Sequence, residues 1–224
     1  MGKGKVIVLE GLDGCGKTTQ LELAESFLKD HDIKCRAVSF PNYSSTSGAL
    51  ISEYLKGDIP CDGYNGAYAA SAMYALDRYI SYMTDWRDFY ENGGVILSGR
   101  YTTSNAIYQL TKIPPEKHEQ FLNWLVDFEY GKLGLPEPDM VIYLDMPIEV
   151  SQRLLENRYL GDEGKKDIHE ANIRFLEECR KSAMYTADIC GWQIIDCADG
   201  GMPLPIENVY IKICDMLRSL VRNG

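Results

Sequence analysis

The chain alternates short, almost uninterrupted apolar runs with longer segments in which apolar positions recur every three or four residues. Continuous apolar runs are typical of strands that are buried on both faces, as in parallel sheets. The longer spacing is typical of helices with one buried face. The pattern predicts strands at residues 5–9, 34–39, 94–98, 140–145 and 192–196. It predicts helices near residues 17–30, 47–56, 67–91, 103–110, 115–130, 147–156, 170–189 and 205–222.

Strands and helices alternate along the whole chain, which predicts an α/β fold: a doubly wound, parallel five-stranded sheet flanked by helices. A chain of 224 residues is long enough to bury one sizeable core, and the sequence contains no linker, repeat or low-complexity tract. We therefore expect residues 1–224 to form a single domain. The polar segment at approximately 157–168, between two predicted helices, is the candidate for a short mobile lid.

The overall charge limits the classes of partner. The chain has 23 Lys and Arg residues against 33 Asp and Glu residues, a formal net charge of −10. This is the wrong sign for a nucleic-acid surface, so a phosphate-bearing ligand would need locally placed cations. No apolar stretch reaches the roughly 18 residues of a membrane-spanning helix, and the N-terminus lacks a signal-peptide pattern. We expect a cytoplasmic protein without a nucleic-acid or membrane partner.

The segment between the first predicted strand and the first predicted helix matches G-x-x-x-x-G-K-T, a phosphate-binding loop. Glycines allow its backbone to turn tightly, so that successive N–H groups and the positive helix end surround an anion. We expect Lys17 to reach the β- and γ-phosphates of a nucleoside triphosphate and Thr18 to bind Mg²⁺. A glycine-rich turn that binds nothing is the alternative, but the full motif in this context is far more specific. The predicted loop comprises Gly11, Leu12, Asp13, Gly14, Cys15, Gly16, Lys17, Thr18 and Thr19.

Two further places could bind a ligand. Tyr74 and Arg78 lie four residues apart on one helix face, where a ring could stack on a base beside a guanidinium. The alternative is a core tyrosine next to a solvated arginine. Arg100 directly follows the third strand, at the sheet edge where α/β proteins bind ligands, and its guanidinium suits a bidentate grip on phosphate. The alternative there is a surface arginine that starts a helix.

Polar pairs and a group of cations complete the set of candidates. Ser104 with Tyr108, and Asn105 with Gln109, present polar groups on adjacent faces of the next helix, although each pair alone is more typical of solvated surface. Arg153 and Arg158, together with two lysines at 165 and 166, surround the predicted lid. Phosphoryl transfer requires cations over the transferred group, and a closing basic lid would supply them while excluding water.

With these residues placed, the chain resembles the thymidylate kinase family of P-loop nucleoside monophosphate kinases, over nearly its full length. The motifs that carry the resemblance are Val8 to Gln20, Phe40-Pro41 followed by Gly48, Tyr74 with Asp77-Arg78, Arg100-Tyr101 with Ser104 and Tyr108-Gln109, Pro138-Asp139 with Tyr143-Leu144-Asp145, Glu170, and Ile195-Asp196. The resemblance implies a P-loop NTPase-type fold and a cytoplasmic homodimer. It also implies transfer of the γ-phosphoryl group of ATP to dTMP, with Mg²⁺ as cofactor.

Residue roles follow from the same resemblance. It implies that Lys17, Arg100, Arg153 and Arg158 are catalytic and that Thr18 binds Mg²⁺; Glu10 or Asp13 would stand in for the family carboxylate that this chain lacks at Gly99. Asp13 would hold the 3′-hydroxyl of the acceptor sugar, Tyr74 would stack on thymine, Arg78 would bond the base and Arg100 would bind the acceptor phosphate. The implied acceptor site comprises Asp13, Phe40, Tyr74, Arg78, Arg100, Ser104, Asn105, Tyr108 and Gln109.

Three positions depart from the family pattern. Gly99 stands where the family has an aspartate that helps to place the metal, Tyr43 stands where an arginine contacts the acceptor phosphate, and Ile168-His169 replaces an arginine-containing element after the lid. Two alternatives therefore stay open. One is a related kinase with another nucleotide or deoxynucleotide acceptor, and the other is a protein that binds ATP without transferring phosphate.

Overall fold

The structure, a computed structural model, describes residues 2–159 and 173–222, apart from the side chains of 157–159 and 219–222. Within these segments five strands form one parallel sheet in the order β2-β3-β1-β4-β5. The strands are β1 (Lys5–Glu10), β2 (Cys35–Ser39), β3 (Val95–Gly99), β4 (Met140–Asp145) and β5 (Gln193–Asp196). Each predicted strand agrees with an observed strand to within one residue at either end. The predicted fold class is confirmed.

The helices of the described segments cover both faces of the sheet. They are α1 (Lys17–Asp30), α2 (Thr46–Lys56), α3 (Gly63–Ser81), α4 (Arg87–Glu91), α5 (Thr102–Gln109), α6 (His118–Val126), α7 (Ile148–Tyr159), α8 (Ile173–Cys190) and α9 (Ile206–Arg222). Short 3₁₀ turns at Leu110–Lys112 and Pro115–Lys117, and π-helical turns at Tyr82–Trp86 and Asp127–Lys132, interrupt or extend them. The predicted lid segment lies almost entirely outside the described residues.

The sheet is buried on both faces, as its apolar runs predict. Along β1, Ile7 and Leu9 join a core that α1 and α9 cover. Val6 and Val8 point to the opposite face and join a second core, which includes Trp86 of the first π-helical turn. This alternation is what a central parallel strand requires. The carboxyl ends of all five strands therefore meet at one edge of the sheet.

Two predicted helices are wrong in their bounds. The prediction at 67–91 starts after Gly66, but α3 begins at Gly63 and includes that glycine. A Cβ on Gly66 would lie 2.1 Å from the backbone of Cys61, so this glycine permits close packing and does not end the helix. The same prediction crosses the π-helical turn Tyr82–Trp86, where Trp86 is fully buried. The prediction at 115–130 likewise covers a 3₁₀ turn, α6 and part of a second π-helical turn.

A small hairpin was not predicted. Strands β6 (Ala198–Asp199) and β7 (Met202–Pro203) pair antiparallel after β5. Two residues are too few to show a period of two, so no pattern signal could reveal them. The turn between them consists of two glycines with positive φ. No helix in residues 2–159 and 173–222 combines the length and the apolar character that crossing a bilayer demands.

Candidate active site

The loop between β1 and α1 has the conformation of an anion-binding loop. Gly14 and Gly16 have φ of 80° and 85°, in the left-handed region that favours glycine. A Cβ on Gly14 would lie 2.8 Å from the carbonyl oxygen of Ser151 on α7, so only glycine fits there. A cavity of about 580 Å³ opens over the loop. Its walls are Leu12, Asp13, Gly14, Cys15, Gly16, Lys17, Thr18, Thr19, Glu22, Ser39, Arg100 and Leu155.

Lys17 lies inside this loop. Its Nζ donates a hydrogen bond to the carbonyl oxygen of Gly11 at 2.7 Å. The ammonium is thereby held over the loop, where the backbone N–H groups and the N-terminus of α1 add further positive potential. We call this 580 Å³ space the donor cavity.

A second cavity, of about 420 Å³, adjoins the first and is lined by all nine residues that the sequence places around the acceptor, among others. Its walls are Asp13, Ser39, Phe40, Pro41, Tyr43, Tyr54, Leu55, Tyr74, Arg78, Arg100, Tyr101, Ser104, Asn105, Tyr108, Gln109, Lys112 and Phe175. We call it the acceptor cavity. Asp13, Ser39 and Arg100 line both spaces, so a ligand in each would meet at these three residues.

Arg100 is positioned by backbone and side chain. Its φ of 70° is rare for a residue other than glycine and costs on the order of 1–3 kcal/mol, which is typical of functional sites. Its guanidinium donates to the carboxylate of Asp13 at 2.5 Å and to the hydroxyl of Tyr108 at 3.0 Å. Burial lowers the pKa of Arg100, but Tyr108 and Asp13 outweigh it and raise that pKa well above its ordinary value. Arg100 is therefore a permanent cation between the two cavities.

Tyr74 forms part of the wall of the acceptor cavity. Its ring meets that of Tyr54 edge-on, with centroids 6.2 Å apart at 89°. Burial raises the pKa of the Tyr74 hydroxyl, so it stays neutral. Gln109 is 3% exposed, and its Oε1 has no hydrogen-bond partner among the described residues. A buried acceptor of this kind favours a ligand that brings a donor.

Arg78 lines the acceptor cavity, but its guanidinium also belongs to a buried ion pair. Its Nε and Nη2 donate to the carboxylate of Glu129 at 2.6 and 2.5 Å, and both side chains are almost fully buried. Its Nη1 donates to the carbonyl oxygen of Tyr101 at 3.3 Å. Glu129 also accepts hydrogen bonds from the side chains of Thr102 and Asn105. These bonds attach the first half of α5 to Glu129. A direct bond from Arg78 to a base stays a prediction.

Glu10 and Asp13, the two carboxylates predicted near the metal, have different surroundings. Glu10 is completely buried and accepts hydrogen bonds from the backbone N–H groups of Gly11 and Tyr101 and from the hydroxyls of Thr103 and Ser104. These four bonds hold the carboxylate in place and join the phosphate loop to α5. Glu10 does not line the donor cavity, whereas Asp13 does.

The residues over the phosphate loop fit Mg²⁺ as kinases bind it. In the described part of the chain no cluster of three or more His, Cys, Asp or Glu side chains is arranged to hold a metal. Mg²⁺ usually takes only one or two carboxylates, and phosphates and water complete its shell. Thr18 and Asp13 line the donor cavity and provide that limited set, and Glu22 is a second carboxylate there.

At Gly99 the structure has room for part of a side chain. A Cβ added there would approach Leu21 Cδ2 at 3.2 Å and Ser39 Oγ at 3.7 Å. The first neighbour is the end of a flexible side chain, which can move. The backbone at position 99 would therefore accommodate the aspartate that the family has there, and packing does not exclude it.

The predicted lid arginines are only partly described. Arg153 lies on α7, where its guanidinium donates to the carbonyl oxygen of Gly201 in the turn between β6 and β7. It is not among the residues that line the donor and acceptor cavities. The side chain of Arg158 and residues 160–172 lie outside the described part. The catalytic role of both arginines stays a prediction.

Sequence reasoning missed two partners of motif residues. Glu129, the buried partner of Arg78, was not predicted, because a single glutamate in an amphipathic segment usually lies on the solvent-exposed face. Arg180 on α8 donates to both carboxylate oxygens of Asp145, at 2.7 and 2.6 Å, at the carboxyl end of β4. The position of Asp145 after a buried strand was the available signal, but nothing in the spacing identified its partner.

The fold and the two adjoining cavities define a class of protein. The sheet is parallel, a phosphate loop follows its first strand, and Arg100 lines both the cavity over that loop and the second cavity. This is the arrangement of a P-loop kinase, which brings two phosphate-bearing ligands together. A family model described as "Thymidylate kinase" matches residues 9–201. The chain belongs to the thymidylate kinase family, and it is an enzyme that phosphorylates dTMP.

Individual relatives agree with this family. The thymidylate kinase of Caenorhabditis elegans is 30% identical over 217 residues, which cover 93% of this chain and 89% of that protein. The thymidylate kinase of Mycobacterium tuberculosis is 27% identical over 182 residues, 80% of this chain and 83% of that one. The thymidylate kinase structure from Candida albicans matches in fold with a TM-score of 0.72, 22% identity and coverage of 99% and 94%. Neither alternative from the sequence, another acceptor or an inactive nucleotide-binding protein, is favoured.

Proposed function

We propose that the γ-phosphoryl group passes from ATP in the donor cavity to the phosphate of dTMP in the acceptor cavity, giving ADP and dTDP. The observation that carries this proposal is that Asp13 and Arg100 line both cavities. In phosphoryl transfer the protein chiefly positions and neutralises the reacting groups. The acceptor phosphate is already ionised near neutral pH, so no general base is needed.

The donor side follows from the phosphate loop. The N–H groups of residues 11–19 and the ammonium of Lys17 bind the ATP phosphates, and Lys17 exchanges its bond to Gly11 for the γ-phosphate. Thr18 and Asp13 would hold Mg²⁺, which neutralises charge on the β- and γ-phosphates when it is bound. Glu10 serves to fix the loop against α5.

The acceptor side follows from the second cavity. Arg100 binds the acceptor phosphate, because its cationic guanidinium lies where the cavities meet. Asp13 takes the sugar hydroxyl, the Tyr74 ring stacks on thymine, and the unpaired Gln109 Oε1 accepts an N–H of the base. Phe40, Ser104, Asn105 and Tyr108 form the remaining walls, and Arg78, which Glu129 holds in place, bonds the base.

Three further assignments rest on the family. Arg153 and Arg158 would move over the transferred phosphoryl group when both nucleotides are bound. The enzyme would act as a homodimer and in the cytoplasm. The family implies these properties, and the exposed apolar side chains of Leu76 and Ile80 on α3 support the homodimer.

Steady-state kinetics with a panel of nucleoside monophosphates tests the proposal. We expect dTMP to be the best acceptor and Arg100→Ala to lose on the order of 10² to 10³ in turnover, because a charge that stabilises the transition state is removed. Arg36→Ala, which removes a surface arginine paired with Asp85, is the matched control and should not change turnover. Near-normal turnover of Arg100→Ala would refute the assignment, and a better acceptor than dTMP would refute the substrate.

A further inference from the structure

A third cavity, of about 170 Å³, lies between α5, α6, the start of β4 and the end of α8. We call it the rear cavity. Among the described residues it shares no lining side chain with the donor and acceptor cavities. Thr102, Thr103 and Ala106 of α5 line the rear cavity, whereas Ser104 and Asn105 line the acceptor cavity. The helical repeat places these two sets on different faces, so α5 separates the two spaces.

The interior of the rear cavity is apolar and small. Leu122 and Leu125 of α6 and Val141 of β4 line it and are buried, and the half-buried ring of Trp192 forms another wall. A cavity of about 150 Å³ with apolar walls is sufficient for one benzene molecule. The rear cavity therefore accommodates one small ring or a short alkyl chain, and burial of that apolar surface favours binding.

Threonine hydroxyls in the wall have already given their protons to other groups. Thr102 donates to the carboxylate of Glu129 at 2.8 Å. Thr103 donates to the carboxylate of Glu10 at 3.0 Å. Thr186 donates to the carbonyl oxygen of the residue four positions earlier on α8, at 2.8 Å. These hydroxyls can offer a ligand only lone pairs, so they favour a ligand that brings donors.

The rim of the rear cavity is negatively charged. Glu137 and Asp139, in the segment before β4, line the cavity and are exposed. Asp139 Oδ2 accepts the N–H of Val6 at 2.7 Å, which holds that carboxylate in place. Burial and the charge of Glu137 together raise the pKa of the Cys190 thiol at the end of α8, so this carboxylate acts across the rim. The described residues that line the cavity include no Lys, Arg or His to balance the two carboxylates.

We propose that the rear cavity is a binding site for a small primary amine, which buries a ring or a short alkyl chain in the apolar interior and directs its ammonium group to Glu137 and Asp139. The ammonium supplies three N–H donors and the positive charge that the wall lacks. Hydrogen bonds between ionised partners are roughly twice as strong as neutral ones. A neutral or anionic molecule of the same shape is therefore a poor ligand. The site goes beyond phosphoryl transfer, because the residues that line it have no role in the proposed mechanism.

Calorimetry of the whole protein with 2-phenylethylamine tests this proposal. ADP and dTMP are present at saturating concentrations, so that the donor and acceptor cavities are occupied. We expect a dissociation constant below about 1 mM, which is within reach of a ligand of this size. The neutral 2-phenylethanol and the anionic 3-phenylpropionate should bind at least about 10-fold more weakly, because they lose the charge-assisted hydrogen bonds. Absence of amine binding would overturn the proposal.

Glu137→Gln keeps the shape of an exposed side chain and removes its charge. We expect this variant to bind 2-phenylethylamine about 10-fold more weakly and 2-phenylethanol as the wild type does. Glu119→Gln changes an exposed glutamate in the first turn of α6, outside the rear cavity, and is the matched control that should alter neither affinity. Equal affinities for the amine and the alcohol, or an unchanged amine affinity in Glu137→Gln, would contradict a site selective for cations.

The indole N–H signals in nuclear magnetic resonance locate the bound amine. The chain has three tryptophans, of which Trp192 lines the rear cavity, and the loss of one signal in Trp192→Phe identifies it. We expect 2-phenylethylamine to shift the Trp192 signal more than the other two. An unchanged Trp192 signal, or an amine that binds only when dTMP is left out, would place the amine elsewhere and overturn the proposal.

Discussion

At the scale of single residues, Arg78 and Glu129 form a buried ion pair in the wall of the acceptor cavity. The two side chains are 1% and 0% exposed. Burial lowers the pKa of Arg78, but the charge and hydrogen bonds of Glu129 outweigh burial, so the net pKa is raised. The guanidinium thus stays charged in a place where an unpaired charge is expensive. The pair therefore fixes the position of Arg78 in the wall of the acceptor cavity.

We predict that Glu129→Gln lowers the free energy of unfolding by about 3–5 kcal/mol, because it leaves the buried guanidinium of Arg78 without a counter-charge. Urea denaturation followed by circular dichroism measures the change. Glu178→Gln, which breaks an exposed pair with Lys181, is the control and should have no measurable effect. A loss of less than about 1 kcal/mol, the usual range of exposed pairs, would contradict the prediction.

Gly99 leads to a prediction about the metal. We expect Gly99→Asp to fold, because Leu21 can move away from the new Cβ, and to reach half-maximal activity at a lower Mg²⁺ concentration. The reason is that the new carboxylate stands next to Ser39, in the wall of the donor cavity. Gly99→Asn has nearly the same shape without the charge, so it should leave the Mg²⁺ requirement unchanged. Equal Mg²⁺ requirements in wild type and Gly99→Asp would mean that Asp13 already suffices.

Whether a site residue and its partner can be predicted from the sequence depends on how far apart the two lie along the chain. Arg100 and Tyr74 could be identified because their signals are local: a strand end and a spacing of four. Glu129 lies 51 residues from Arg78, and Lys112 lies 58 from Tyr54, so their pairing depends on how helices pack. The sequence predicted which residues surround the acceptor cavity, but not which of them bind each other.

At the scale of elements, Asp77 on α3 holds the segment between β2 and α2. Its carboxylate accepts from the N–H of Asn42 at 2.9 Å and from the hydroxyls of Ser45 and Ser47 at 3.2 and 2.6 Å. Gly48 allows α2 to lie close against this segment, because a Cβ there would lie 1.9 Å from the carbonyl oxygen of Asn42. The segment carries one wall of the acceptor cavity and is fixed to the helix that carries another.

We predict that Asp77→Ala raises KM for dTMP by about 10-fold with a smaller change in kcat, because the hydrogen bonds that order the segment contribute roughly 1 kcal/mol each. Hydrogen exchange of residues 42–48 should become faster in the same variant. Asp85→Ala, which removes the surface partner of Arg36, provides the comparison and should alter neither quantity. Faster hydrogen exchange together with an unchanged KM for dTMP would contradict the prediction, because it would mean that order in this segment does not affect acceptor binding.

Helices and strands could be predicted where the apolar pattern extends over enough residues to show its period. Each strand of the sheet is buried on both faces, and that burial produces the apolar runs from which it was predicted. The break of the 67–91 helix was not predictable, since a π-helical turn keeps Tyr82 and Trp86 buried and leaves the apolar pattern continuous. The hairpin of β6 and β7 is too short for any periodic signal.

At the scale of the whole molecule, one apolar stripe lacks a covering element in the described part of the chain. Leu76, Ile80 and Met83 are 41–45% exposed and follow one another at spacings of four and three along α3 and the π-helical turn. The same helix carries Tyr74, Asp77 and Arg78 on its inner side. A contiguous exposed apolar stripe marks an interaction surface. A second copy of the chain on this stripe would press the acceptor-binding helix against α5, on which it packs.

We therefore predict that the wild-type protein sediments at twice the chain mass of 25.3 kDa and that Ile80→Asp sediments as a monomer, because a charge in the centre of an apolar interface cannot be solvated. Ile211→Asp replaces an equally apolar, exposed residue on α9 and should remain dimeric. A monomeric wild type, or a dimeric Ile80→Asp, would contradict the proposed interface. Because the stripe backs the helix that carries Tyr74, the monomer should also bind dTMP more weakly, while its ATP affinity, which depends on the loop after β1, should not change.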